Sequence, residues 1–182
     1  MVAVKREDYK FVGDFATEPD AMTELDRLID ESGMFRVFRE VQGYYMAARP
    51  ERQAKDARID RILVPTKEMQ HLGWTATIGI EGKRSGADMG PAICQAIDYT
   101  WAVFRCGSIY LYPEYIFLWP AEKATGVVAS IMAQNRIGVA RPPTKHRGLN
   151  FIYADTNVIT FHADKDAEIQ QPPGAGRKTG SR

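Results

Sequence analysis

A chain of 182 residues suits one compact domain, and its 45% hydrophobic and 26% charged residues are those of a soluble globular protein that can bury a core unaided. Two cysteines, Cys94 and Cys106, exclude a four-cysteine metal cluster and a disulfide framework; both lie among apolar residues, which predicts buried thiols in a reducing compartment. The net charge of +1 argues neither for nor against nucleic acid, so any phosphate-binding surface must rest on local charge.

The opening segment MVAVKREDYKFVGDF lacks the apolar run of a signal peptide, and no stretch is apolar for the roughly 18 residues a membrane span needs. A cytoplasmic protein without a membrane partner is expected, in the host cytoplasm if the chain is phage-encoded. From Asp20 to Ser32, Met22, Leu25, Leu28 and Ile29 recur at helical spacing and Gly33 supplies a stop. MFRVFREVQGYYMA reads as an aromatic and β-branched strand, and the polar ARPERQAKD separates it from a second strand, RIDRILV, ended by Pro65. TKEMQHLG reads as a loop and WTATIGIEGK as an alternating third strand.

After the loop SGADMG, PAICQAIDYTWAVFR reads as a helix with Pro91 in its first turn. IYLYPEYIFLW reads as a strand or strand pair interrupted by Pro113, Ala121 to Gln134 as a helix, and RIGVA as a short strand. LNFIYADTNVITF reads as a hairpin turning near Asp155 to Asn157. Residues 1–163 make the single domain of this reading, and 164–182, rich in Pro, Gly and polar residues, make a disordered tail. The expected fold is α/β or α+β, a mixed central sheet flanked by helices: an αβββαβ core followed by an αββ extension.

Chemistry concentrates on the second and third strands. In WTATIGIEGK, Ile78 and Ile80 point one way while Thr77, Gly79, Glu81 and Lys83 point the other, so Glu81 and Lys83 are neighbours roughly 6–7 Å apart. Asp60 interrupts the apolar RIDRILV on the face of Ile62 and Val64, a position costly for a carboxylate unless it is paired or metal-bound. If the strands are adjacent, Asp60 and Glu81 converge on one hard divalent cation, Mg²⁺ or Mn²⁺, with Lys83 beside it. Phosphodiester hydrolysis needs such a set: a metal to polarise the phosphate and acidify a water, and an ammonium to orient that water and offset developing charge. Gln95 and Tyr99 follow one helical turn apart, off the line of Ile93, Ile97 and Trp101, where polar groups can reach a metal site or a phosphate.

Together Asp60 in RIDRIL, Glu81-x-Lys83 in IGIEGK and Gln95-xxx-Tyr99 resemble the PD-(D/E)XK nuclease superfamily, restriction-endonuclease-like in fold. They are most similar to its RecB-like exonuclease branch, which carries a QxxxY motif. The resemblance spans about Asp20 to Trp119. It implies a divalent-metal-dependent deoxyribonuclease, an exonuclease or end-processing enzyme in preference to a site-specific endonuclease. It further implies metal ligation by Asp60 and Glu81, a catalytic Lys83 and supporting Gln95 and Tyr99; the Gly82 carbonyl is a third candidate ligand. Two features depart from the family: Ile59 stands where the superfamily name has proline, and the branch's iron–sulfur cysteines are missing. The family often adds an acid from the first helix or strand, and Glu24, Glu31 and Glu40 all qualify by position. Glu40 is preferred because it shares a strand face with Phe38 and flanks the Asp60 strand in a meander.

DNA is the expected partner, with Arg58, Arg61 and Arg84 as candidate backbone contacts within a basic stretch that also holds Arg49, Arg52 and Lys55. A second basic patch spans Lys145 to Arg147, and the tail adds Arg177, Lys178 and Arg182. His71, His146 and His162 lack metal-ligand spacing and read as surface or loop residues, while Tyr110, Tyr112, Tyr115, Phe117 and Trp119 read as sheet core before base-stacking platforms. Association into a homo-oligomer or a larger recombination or repair complex fits the small format. Two rival readings stay open: a non-catalytic DNA-binding or assembly protein that keeps the nuclease fold, and a structural domain in which Asp60, Glu81 and Lys83 are only a buried ion-pair cluster.

Overall fold

The computed structural model describes residues 10–46, 56–141, 148–162 and 167–172. The first helix, α1 (Glu18–Ser32), begins where Thr17 and Asp20 form a capping box: the Asp20 N–H donates to Thr17 Oγ1 at 3.2 Å and the Thr17 N–H to Asp20 Oδ2 at 3.2 Å. Gly33 ends it in the left-handed region, φ 64°, where a side chain would be strained. Ala21, Met22, Leu25 and Ile29 form its buried stripe.

Then follow β1 (Phe35–Tyr45), β2 (Asp56–Pro65), α2 (Lys67–His71), β3 (Ile78–Gly82) and α3 (Met89–Tyr99). The remaining elements are β4 (Ala102–Cys106), β5 (Ile109–Leu111), β6 (Tyr115–Trp119), α4 (Gly126–Gln134), β7 (Ile137–Arg141), β8 (Asn150–Tyr153), β9 (Thr156–Phe161) and β10 (Ala167–Ile169). All the described strands join one mixed ten-stranded sheet in the order β10-β9-β8-β7-β6-β3-β2-β1-β4-β5. β3, β6 and β7 run parallel and the other pairs antiparallel. Two apolar cores sandwich this sheet: α3 and α4 pack on one face with Ile59, Ile62, Phe104, Ile116 and Leu118, and α1 and α2 on the other with Ile78, Ile80, Phe117 and Trp119. The class is therefore α+β. Among the described residues no helix is long and apolar enough to cross a membrane.

Several expectations need correction. TKEMQHLG is not all loop: Thr66 Oγ1 accepts the Met69 N–H at 3.4 Å, and the resulting turn of helix, α2, sinks Met69 fully into the core. PAICQAIDYTWAVFR is not one helix, because the chain leaves α3 after Tyr99 and Ala102–Cys106 pairs with β1 and β5; pairing of β-branched and aromatic residues overrides the helical pattern. Helix α4 starts at Gly126 and not Ala121, which is held in a bridge to Phe11. The hairpin turns at Ala154 and Asp155, both at positive φ (45° and 70°). The tail is ordered at Ala167–Ile169, which pairs with β9, and Gln171 Nε2 donates to the Gly73 carbonyl at 3.0 Å; residues 173–182, with Arg177, Lys178 and Arg182, lie outside the described residues. Cys106 is buried as expected, whereas Cys94 is exposed.

Because the capping box starts the helix that covers β3, Thr17→Ala should lower stability by about 1 kcal/mol. Urea unfolding checks this; an unchanged midpoint would mean the cap contributes nothing.

Candidate active site

The site is built on an irregularity shared by two strands. The β1–β2 ladder keeps one register throughout, with Arg39 opposite Arg61 and Val41 opposite Ile59, but no pair joins Glu40 and Asp60 between them. Side-chain parity changes across this break. Phe38 and Val41 pack on the same core, as do Ile59 and Ile62, although strict alternation would send each pair to opposite faces. Glu40 carries the strain as φ 51°. Asp60 therefore does not simply continue the face of Ile62 and Val64, as alternation predicts.

At the same point the β2–β3 ladder ends, its last pair being Arg61 with Ile80. One residue beyond, Asp60 Oδ2 accepts the Gly82 N–H at 2.7 Å, so a carboxylate takes over where ladder bonds stop. The fit at Gly82 is close: a Cβ would lie 2.2 Å from Met22 Sδ, so the Met22 side chain would have to move to admit one. On β3, Glu81 is 1% exposed and its Oε1 accepts from Lys83 Nζ at 2.5 Å. Lys83 Nζ also donates to the Gly82 carbonyl at 2.8 Å and stands 3.4 Å from Glu18 Oε2. Glu81 Oε2 is buried without a hydrogen-bond partner among the described residues. A solvent-free carboxylate oxygen in that state is a place for a cation.

The structure thus brings Asp60, Glu81, Gly82 and Lys83 together and adds Glu18, the first residue of α1. None of the acids weighed from sequence takes that place. Glu24 and Glu31 both bind Arg27 on the outer face of α1, at 2.7 and 2.6 Å. Glu40 turns away to Arg58 at 2.7 Å and Arg61 at 3.5 Å. The signal for Glu18 was its position inside the Thr17–Asp20 capping box, which marks where α1 begins and hence which acid stands at the helix mouth.

Gln95 and Tyr99 do act together. Gln95 Nε2 donates to the Tyr99 hydroxyl, which donates to the Arg58 carbonyl of β2. Tyr99 is 2% exposed, so its ring is core and its hydroxyl pins α3 to the strand that carries Asp60. Trp101, by contrast, is exposed. Arg61 is no free DNA contact: it is buried, donates to Asp26 through Nε at 2.8 Å and Nη2 at 3.0 Å, and through Nη1 to the Asp60 carbonyl at 2.6 Å. Arg58 and Arg84 are exposed. Arg49, Arg52, Lys55, Lys145, His146 and Arg147 lie outside the described residues. Of the tyrosines expected in the core, Tyr110 and Tyr112 are exposed; Phe117 and Trp119 are buried and Tyr115 half-buried.

The electrostatics follow from crowding. Burial, then the nearby Asp60 charge, push the Glu81 carboxyl up to about 7 against the pull of Lys83. Burial also raises Asp60, with the Gly82 N–H and the Lys83 charge only partly offsetting it. Burial would depress the Lys83 ammonium, but the Glu81 hydrogen bond and the Glu81, Glu18 and Asp60 charges more than reverse this, so it stays protonated. The Tyr99 phenol is pushed up by burial and by the Glu81 charge, which keeps it a hydrogen-bond donor. Among the described residues no three His, Cys, Asp or Glu side chains already converge on a single metal position.

Fold and site together define an α+β protein with a buried carboxylate–lysine cluster at the end of a sheet ladder. Comparison with family models, curated proteins and solved structures found no match.

A carboxyl raised on folding binds its proton more tightly in the native state, so Glu81 favours folding fully below about 4.5 and loses that contribution as pH rises toward about 7. In EDTA, wild-type Tm should therefore fall across that window, and Glu81→Gln should flatten the fall and raise Tm at neutral pH. A wild-type Tm that climbs through the window would overturn the assignment.

Proposed function

We propose that the protein is a divalent-metal-dependent nuclease that hydrolyses phosphodiester bonds in DNA, built on a restriction-endonuclease-like arrangement of the PD-(D/E)XK kind. The observation that carries this reading is the buried, unpartnered Glu81 Oε2 beside Asp60 and Lys83. Two carboxylates and a carbonyl suit a hard cation, and burying them without one is unfavourable. Asp60, Glu81 and the Gly82 carbonyl, with Glu18 at the rim, would hold Mg²⁺ or Mn²⁺. Such a metal supplies Lewis-acid polarisation of the phosphate and an acidified water.

The chain's own groups prepare that chemistry. The Gly82 N–H fixes Asp60, and Arg61, anchored on Asp26, fixes the Asp60 carbonyl. Lys83 brings a permanent positive charge to the point where charge builds on the phosphoryl oxygens. Gln95 and Tyr99 act at one remove, holding β2 through the Arg58 carbonyl. The QxxxY resemblance favours exonuclease or end-processing activity.

One observation favours a second reading, a DNA-binding or assembly protein without turnover. The Lys83 ammonium already bridges Glu81 Oε1 and the Gly82 carbonyl, so an internal cation stands among the groups that would take the metal.

Linear and circular, duplex and single-stranded DNA should be incubated with Mg²⁺ or Mn²⁺. The wild type should cut at least one form, and Lys83→Ala should cut it about a hundredfold more slowly or worse. Mn²⁺ should also raise the Tm of the EDTA-treated wild type, and raise it less in Glu81→Gln. No cleavage of any form by the wild type sinks the nuclease reading; metal-independent DNA binding in that case establishes the second.

A further inference from the structure

Beyond the Glu40/Asp60 break, one face of the sheet lies outside the cover of any described helix. Tyr45, Ala102, Phe104, Cys106 and Leu111 pack into the core beneath α3, so their strand neighbours Tyr44, Val103, Arg105 and Tyr110 point the opposite way. Helix α1, which covers that side elsewhere, makes its main contacts with β1, β3 and β6. The result is a tyrosine surface. Tyr44, Tyr110 and Tyr112 are 48%, 54% and 50% exposed, with Val103 buried among their strands. Tyr44 and Tyr110 meet edge to face at 6.0 Å, and the Tyr112 hydroxyl contacts Met46 Sδ at 3.0 Å.

Guanidinium groups stand among these rings. Arg105 is directly opposite Tyr110, and its only hydrogen bond among the described residues is from Nε to the Gly107 carbonyl at 3.3 Å, leaving it without an acidic partner there. Arg58, on β2 opposite Gln42, has a side chain 61% exposed and among the described residues is ion-paired only with the exposed Glu40, a pair that a phosphate can displace at small cost. Gln42 and Arg105 also line an open groove of about 440 Å³ that reaches Glu40 at the break. Arg58 precedes Asp60 by two residues, roughly 6–7 Å along the strand.

We propose that this face binds single-stranded DNA, its bases stacked on Tyr44, Tyr110 and Tyr112 and its phosphates met by Arg58 and Arg105, and that it leads a strand end to the Asp60–Glu81–Lys83 site. Stacking on a flat ring needs unpaired bases, which a duplex hides and a single strand offers. Tyrosines and arginines also serve protein interfaces. Here, though, the open side chains, apart from the 45% exposed Met46, are flat rings beside cations, the pairing that bases and phosphates call for, and the aliphatic Val103 is already buried. The delivery of the strand rests on the nuclease reading; the binding of bases does not.

The test is fluorescence anisotropy of a labelled oligothymidylate and of a duplex of the same length, in EDTA, with the full-length protein. Replacing Tyr44 and Tyr110 together by alanine should weaken oligothymidylate binding about tenfold or more. Replacing both by phenylalanine should keep most of the affinity, because the ring and not the hydroxyl stacks. Arg105→Ala should flatten the salt dependence. Far-UV circular dichroism confirms that each variant is folded. Alanine variants that bind like wild type, or phenylalanine variants that lose as much as alanine ones, overturn the proposal. So does a wild-type dimer in sedimentation that the alanine variant splits while DNA binding is unchanged, which would make the face a self-association surface. A wild type that binds through the tyrosines but never cuts with Mn²⁺ removes the nuclease reading and keeps this one. A wild type that cuts, with tyrosine-independent binding, does the reverse.

Discussion

The hydrogen bond from the Gly82 N–H to Asp60 Oδ2 is the contact on which the site depends. A backbone donor at the end of a ladder must find an acceptor, and a buried carboxylate must find a donor; each need answers the other. Because the donor belongs to the residue between Glu81 and Lys83, satisfying Asp60 also fixes the stretch of β3 that carries both. The irregular Glu40/Asp60 step is what frees Asp60 from regular pairing on either side. It is braced from both layers, by Arg61 and Asp26 of α1 on one face and by Tyr99 of α3 on the other.

Charge then decides what the site can be. Glu18 and Glu81 pair with the Lys83 ammonium and Asp60 adds its charge nearby, so the cluster is short of positive charge. Two remedies are open to it: protonate Glu81, whose carboxyl is poised near neutrality, or accept a cation. A purely structural ion pair would be expected to balance its charges, since an uncompensated buried carboxylate costs more than a paired one contributes. The buried oxygen left over on Glu81 is the sign of that imbalance.

Much of this was legible in the sequence. Strand alternation placed Glu81 and Lys83 together, and the odd Asp60 in an apolar strand marked the neighbour they meet. The helix α1, most strands and the pairing of Gln95 with Tyr99 also followed from periodicity. What failed failed for identifiable reasons. Alternation assumes unbroken strands, so it could not foresee the parity change at Glu40 and Asp60 or the pairing of Glu40 with Arg58. Helical spacing through Ala102–Arg105 concealed a strand that exists only because β1 is there to pair with it. Tyr110 and Tyr112 look like any sheet aromatics until the reach of the helices is known.

That reach can be put in lengths. Ten strands at about 4.8 Å spacing make a sheet some 43 Å across, whereas one helix with its side chains is about 10 Å wide. Helix α1 seals the sheet where β3 and β6 carry their apolar residues, while Tyr44 and Tyr110 of β1 and β5 stay exposed on that side. An uncovered face must be polar or must have an occupant, and a row of half-exposed tyrosines is neither fully one nor the other. The step at Glu40 and Asp60 settles which side chains appear there. Without the change of parity, Gln42, Tyr44 and Arg58 would turn toward α3 and Val41 and Ile59 toward solvent. One local irregularity therefore sets both the buried carboxylate and the open surface beside it.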